Sequence, residues 1–158
     1  MSVARASGAR TLLELPSDPG RVGHDWLGTL GDVPLFEGLS NRHLRRIAKL
    51  ARIRRFADGS AMVRAGDAGR TFYVLLDGGA KVTRPGRRSV RLGAGAFFGE
   101  MALIDDSPRS ADVVADGDVL ALTIDRPGFT KLLRAEPTLS QRLLRTLAAR
   151  LRAAEATD

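Results

Sequence analysis

The segment FGEMALIDDSPRSA, residues 98–111, sets an acid, Glu100, nine positions ahead of a base, Arg109, with Pro108 directly before the arginine. Two charges that merely paired with each other would need neither Gly99 nor the small side chains around them. Gly99, Glu100, Met101, Ala102 and Leu103 can form a single helical turn whose leading backbone N–H groups have no partner within the helix. Such a turn accepts an anion. Glycine at 99 and alanine at 102 let a ligand come close to the main chain. Pro108 stiffens the return, the planar guanidinium of Arg109 can clamp two oxygens of a phosphate at once, and Ser110 adds a hydroxyl beside it. An acid next to a phosphate repels it, so Glu100 must address a hydrogen-bond-donating part of the ligand, such as a sugar hydroxyl. Phosphate and hydroxyl together imply a nucleotide.

The elements around this segment change character along the chain. From Ser40, a capping residue type, Leu44, Ile47, Ala48 and Ala51 recur at helical spacing while Arg42, Arg45, Arg46, Lys49 and Arg52 take the other face. His43 in that helix reads as a solvated or capping imidazole. From Ile53 to Ile124 short apolar runs follow: Ala61 to Val63, Phe72 to Leu76, Ala80 to Thr83, Val90 to Leu92, Val113 to Ala115 and Val119 to Ile124. Turn residues such as Asp77-Gly78-Gly79 and Asp116-Gly117 separate them, which predicts a compact roll of about eight strands. After Asp125 the helical period returns, with Pro127 and Pro137 suited to helix starts. A leucine stripe (Leu139, Leu143, Leu144, Leu147, Leu151) serves equally as core or as half of a dimer seam. The expected fold is mainly β with flanking helices: a jelly-roll-like β-roll with an N-terminal helix and two C-terminal helices.

At 158 residues the chain holds one domain with a proper core. Residues 1–32 read as a partly disordered arm that docks by Trp26, residues 33–154 as the domain, and 155–158 as a tail. With no cysteine there is no disulfide framework and no cysteine-based nucleophile or metal site. No apolar run reaches membrane-spanning length and no signal-type stretch opens the chain, so a cytoplasmic protein without membrane contact is expected. The net charge of +7 invites a nucleic-acid reading. Yet of 25 basic residues only Lys49, Lys81 and Lys131 are lysine, a lopsided arginine usage as easily due to coding bias, and one Trp and one Tyr leave little to stack on bases.

The combination F-G-E-x-A-L followed by P-R-S-A, inside a glycine-punctuated β pattern, resembles the phosphate-binding cassette of cyclic nucleotide-binding domains. These are the modules of catabolite activator proteins, protein kinase A regulatory subunits and cyclic-nucleotide-gated channels. The resemblance runs from about residue 33 to 154, with PLFEGLS at the entrance helix and AGDAG and LLDGG at two turns. It implies that Arg109 pairs with the cyclic phosphate and Glu100 accepts from the ribose 2′-hydroxyl. Phe98 leads in, while Gly99, Met101, Ala102 and Ala111 supply main-chain donors and a close wall. Ser110 falls where the family carries Ala, Ser or Thr, and cAMP is favoured over cGMP. Arg150 and Ala154 are the candidate lid contacts on the last helix. Asp112 departs from the usual neutral residue and is expected to point outward. Gly79 replaces a larger residue and is expected to loosen its turn.

A metal enzyme on a similar barrel needs clustered histidine and carboxylate ligands, but His24 and His43 both precede the roll. No nucleophile–base arrangement stands out either, so neither catalysis nor a metal or other cofactor is expected. The activator-type relatives read DNA with a helix-turn-helix after the long helix, and with the sequence ending at Asp158 no specific DNA binding is expected. The resulting expectation is a stand-alone sensor that binds cAMP, or cGMP, and moves its C-terminal helices to signal to an effector protein, with homodimerisation through the last helix. The alternatives are a vestigial module acting as a protein-interaction scaffold and the regulatory fragment of a transcription regulator.

Overall fold

The computed structural model describes residues 27–156 apart from Asp106. A short helix α1 (Leu27–Gly31) and a 3-10 turn (Pro34–Phe36) lead into α2 (Asn41–Leu50). Six strands follow among the described residues: β1 (Ala51–Phe56), β2 (Ala61–Val63), β3 (Thr71–Thr83), β4 (Val90–Leu92), β5 (Phe97–Phe98) and β6 (Asp112–Asp125). The helix α3 (Glu100–Asp105) interrupts them, and α4 (Arg126–Ala135) and α5 (Pro137–Ala156) close the chain. The strands form one antiparallel sheet in the order β1-β6-β3-β4, with β2 paired to β6 and β5 to β3. The fold is thus an antiparallel β-roll with flanking helices.

The long central strands bury both faces, and alternation divides their side chains between two cores. Phe72, Val74 and Leu76 of β3 join Leu120, Leu122 and Ile124 of β6 against the helices, where Leu30, Phe36, Ile47, Phe129 and Leu139 meet them. Tyr73 and Leu75 turn the other way, into the roll, with Val119, Ala121, Met62 and Phe98. Roughly eight strands become six because two turn signals lie inside strands. At Asp77-Gly78-Gly79 the pairing with β6 slips register, and β6 itself runs on through Asp116-Gly117. Gly78 has φ +83°, and a Cβ there would lie 2.3 Å from the Asp118 carbonyl oxygen, so the glycine makes a bulge where a turn was predicted. Gly79 is not simply a looser turn either. The Arg91 guanidinium, paired with Asp116 at 2.9 Å, occupies the space a larger residue would fill.

The domain starts before residue 33. Leu27 and Leu30 of α1 are core residues, so the end of the expected arm is structured. Trp26, with the rest of residues 1–26, lies outside the described residues, as do 157–158. At the other end α5 runs to Ala156, so residues 155 and 156 are helix and not tail. Among the described residues no helix is long and apolar enough to cross a membrane.

Helix α2 is tied to the α4–α5 junction by a buried acid. Glu136 is 2% exposed and accepts from Arg46 at 2.7 Å and meets His43 Nδ1 at 2.5 Å. His43 therefore pairs with a carboxylate where solvent or a cap was expected. Replacing Glu136 with Gln should lower stability by about 2 kcal/mol, because the charge-assisted pair with Arg46 is lost, a loss limited by the partly exposed guanidinium regaining water. Urea unfolding of the two proteins checks this; an unchanged midpoint contradicts it.

Candidate functional site

The segment 98–111 takes the form its residue types predict. Phe98 ends β5 and stacks on Tyr73 with ring centroids 4.7 Å apart. Gly99 turns the chain at φ +92°, and α3 begins at Glu100. Met101 and Ala102 lie in α3, while their side chains fall outside the described residues. Beyond α3, Pro108 bridges to Ala68, and Arg109 pairs through its backbone with the turn after β2: its N–H donates to Asp67 O at 2.8 Å and its carbonyl accepts from Gly66 N at 2.9 Å. Ala111 is buried and Ser110 exposed.

Arg109 is 8% exposed. Its guanidinium donates to Gly99 O at 2.8 Å and to Thr71 O at 2.5 Å, so it braces the entrance to α3 against the start of β3. Burial pushes the guanidinium below its ordinary pKa; Tyr73 and Glu100 pull it back up, and the nearby Arg126 adds to the lowering. Among the described residues no carboxylate touches it. Its fork keeps further N–H groups beyond those given to the two carbonyls, and it lines a cavity of about 260 Å³ with Met62, Val63, Arg64, Arg70 and Tyr73 among the other walls. Gly99 proves necessary for a reason other than ligand approach: a Cβ would stand 2.8 Å from both the Arg109 guanidinium and the Thr71 carbonyl.

Glu100, the first residue of α3, is 2% exposed, and its ion pair is not with Arg109. Its Oε1 accepts from Arg150 of α5 at 2.7 Å; the same guanidinium donates to Phe97 O at 2.9 Å and lies 4.7 Å from the Phe97 ring centroid. Arg150, chosen as a lid contact, is therefore fastened to the acid of the segment. Ala154 is exposed in the last turns of α5. Asp112 is half-buried and does not simply point outward: its carboxylate accepts from Ala65 N at 2.7 Å and holds the turn that carries Arg64, Asp67 and Arg70 into the cavity wall. Those three wall residues were not picked out from the sequence, although AGDAG, which they flank or belong to, marked the turn. Among the described residues no group of His, Cys, Asp or Glu is gathered for a metal ion.

A family model, the cyclic nucleotide-binding domain, matches residues 53–136. The chain belongs to this family. It is 34% identical over 104 residues to a cAMP-dependent protein kinase regulatory subunit of Hypocrea atroviridis, covering 66% of this chain and 22% of the relative. It thus spans about a fifth of that regulatory subunit. Among solved structures, the catabolite activator protein of Thermus thermophilus is similar with TM-score 0.71 and 32% identity over 78% of this chain and 61% of that one. The regulatory domain of Toxoplasma gondii protein kinase A, solved with cAMP, is similar with TM-score 0.68 and 30% identity over 79% and 49% of the two chains. The domain is related to regulatory modules, and its β-roll follows the same plan.

Proposed function

We propose that the cavity beside Arg109 binds a cyclic nucleotide, cAMP ahead of cGMP, and that the domain signals through its C-terminal helices and has no catalytic role. The observation that carries this reading is a nearly buried guanidinium facing a cavity, with no carboxylate against it among the described residues. Desolvated charge without a counter-charge is costly, and a single phosphodiester supplies one. The structure of the Toxoplasma regulatory domain with cAMP supports the choice of nucleotide. On this reading the ligand extends past the cavity wall around Arg109 to Gly99, Ala111 and the α3 backbone, and Glu100 accepts from the ribose hydroxyl. A chain without cysteine suits the reducing cytoplasm in which such a sensor would act.

Arg150 makes the acid useful. Its hydrogen bond takes Oε1 of Glu100, leaving the second oxygen as acceptor for the sugar. Its charge also offsets the repulsion between Glu100 and the ligand phosphate. The nucleotide and α5 thereby share one carboxylate, so occupancy of the cavity stabilises the position of α5. Further along the same helix, Leu144 and Leu151 are 65% and 61% exposed, seven residues apart on one face, which is the spacing for contact with a second copy or an effector.

Arg150→Ala should weaken nucleotide binding about tenfold, roughly 1.4 kcal/mol, by freeing the Glu100 side chain and restoring its repulsion of the phosphate. Displacement of a fluorescent cAMP analogue measures this; unchanged affinity would remove Arg150 from the site.

A further inference from the structure

Arg126 opens α4 directly after the last strand residue, Asp125, whose carboxylate caps the helix by accepting from Gly128 N at 2.9 Å. Its own backbone N–H donates to Arg70 O at 3.1 Å. Its half-buried guanidinium donates to Gly69 O at 2.7 Å and reaches Leu103 O at 3.5 Å. Arg109 joins the same two stretches of chain, donating to Thr71 O and to Gly99 O. Two arginines therefore brace one pair of segments: Arg109 at residues 71 and 99, Arg126 at residues 69 and 103. The first lines the cavity and the second does not, yet the second is part of a helix.

We infer that Arg126 is a positioning residue that carries the state of the cavity into α4 and α5. This rests on the reading of the cavity as a cyclic-nucleotide site. The physical link has two parts. Gly69, Arg70 and Thr71 are consecutive, so any closure of Arg109 and the cavity wall around a ligand moves the carbonyl that Arg126 holds. The Arg126 guanidinium also lies close enough to disfavour the charge of Arg109. An anion that neutralises Arg109 relieves that repulsion and lets Arg126 settle more tightly between residues 69 and 103, drawing the start of α4 with it. The neighbouring anchors do not duplicate this. Asp125 caps α4 only within its own turn, Arg150 contacts the site from the far end of α5, and Glu136 fastens the α4–α5 junction to α2.

Hydrogen–deuterium exchange with and without saturating cAMP, on the parent, Arg126→Gln and Arg126→Lys, tests the inference. In the parent, ligand should slow exchange about tenfold both in the cavity wall, residues 64–71, and in helices α4 and α5. Arg126→Gln should bind within about fivefold of the parent, because it does not touch ligand, and should still protect residues 64–71 while the helices gain less than about twofold. Arg126→Lys keeps the charge but loses the planar fork whose two nitrogens reach the two carbonyls separately, so it should lose at least about half of the helix response, and it decides the matter if the Gln variant does not fold. Helix protection equal to the parent's in either variant overturns the inference while the ligand reading stands. A parent that binds neither cAMP nor cGMP overturns both.

Discussion

Arg109→Ala should lose at least about a hundredfold in cyclic-nucleotide affinity, on the order of 3 kcal/mol. The loss has two sources. The ligand phosphate forfeits its charge-assisted, two-pronged partner, and the cavity wall forfeits the brace that spans Gly99 O and Thr71 O. The second source also predicts a fall in thermal stability, since two carbonyls near the core lose their donor. Arg109→Lys separates the two: it keeps a point charge without the fork, so affinity should fall about tenfold and the carbonyls should be only partly satisfied. Titration calorimetry and a melting curve on both variants give the numbers. An alanine variant that binds as tightly as the parent would falsify the assignment of Arg109.

Gly99→Ala should be nearly as damaging although it removes no functional atom. At φ +92° a residue with a Cβ is strained by roughly 1–3 kcal/mol. The new methyl group would also sit 2.8 Å from both the Arg109 guanidinium and Thr71 O, the donor and acceptor of one brace. The guanidinium can shift; the backbone carbonyl of a paired strand cannot. We expect about 3 kcal/mol less stability in urea and at least about a tenfold weaker ligand, because the clamp must open to admit the methyl. A variant that matches the parent in both would show that the chain turns at 99 in some other way.

The local chemistry was legible in the sequence where it depended on neighbours in the chain. The helical face of Leu44, Ile47 and Ala48 and the cassette turn at Gly99 and Glu100 appear where periodicity and residue type put them. What failed was the meaning of glycine pairs within strands. Asp77-Gly78-Gly79 looks like a turn, but Phe72 to Leu76 and Ala80 to Thr83 are both held to β6, so the glycines become a bulge in a continuous ladder. Tertiary pairing overrode a local signal. The resemblance to the family singled out Arg150 at the lid, yet its fastening to Glu100 joins residues 50 apart in the chain. Similarly, the Glu136 junction draws on His43, 93 positions away, and neither residue's type suggested the other. Asp112 shows the limit of alternation: its place in a strand predicted an outward side chain, while its use depends on the Ala65 amide of a distant turn.

The central claim is that one cyclic phosphodiester neutralises Arg109 in the cavity. Equilibrium titration of the parent with cAMP, cGMP and 5′-AMP tests it most directly. One saturable site per chain, tightest for cAMP, weaker for cGMP and weaker still for the open phosphate of 5′-AMP, is the result expected here. Absence of binding to either cyclic nucleotide at millimolar concentration, or 5′-AMP binding as tightly as cAMP, would contradict it.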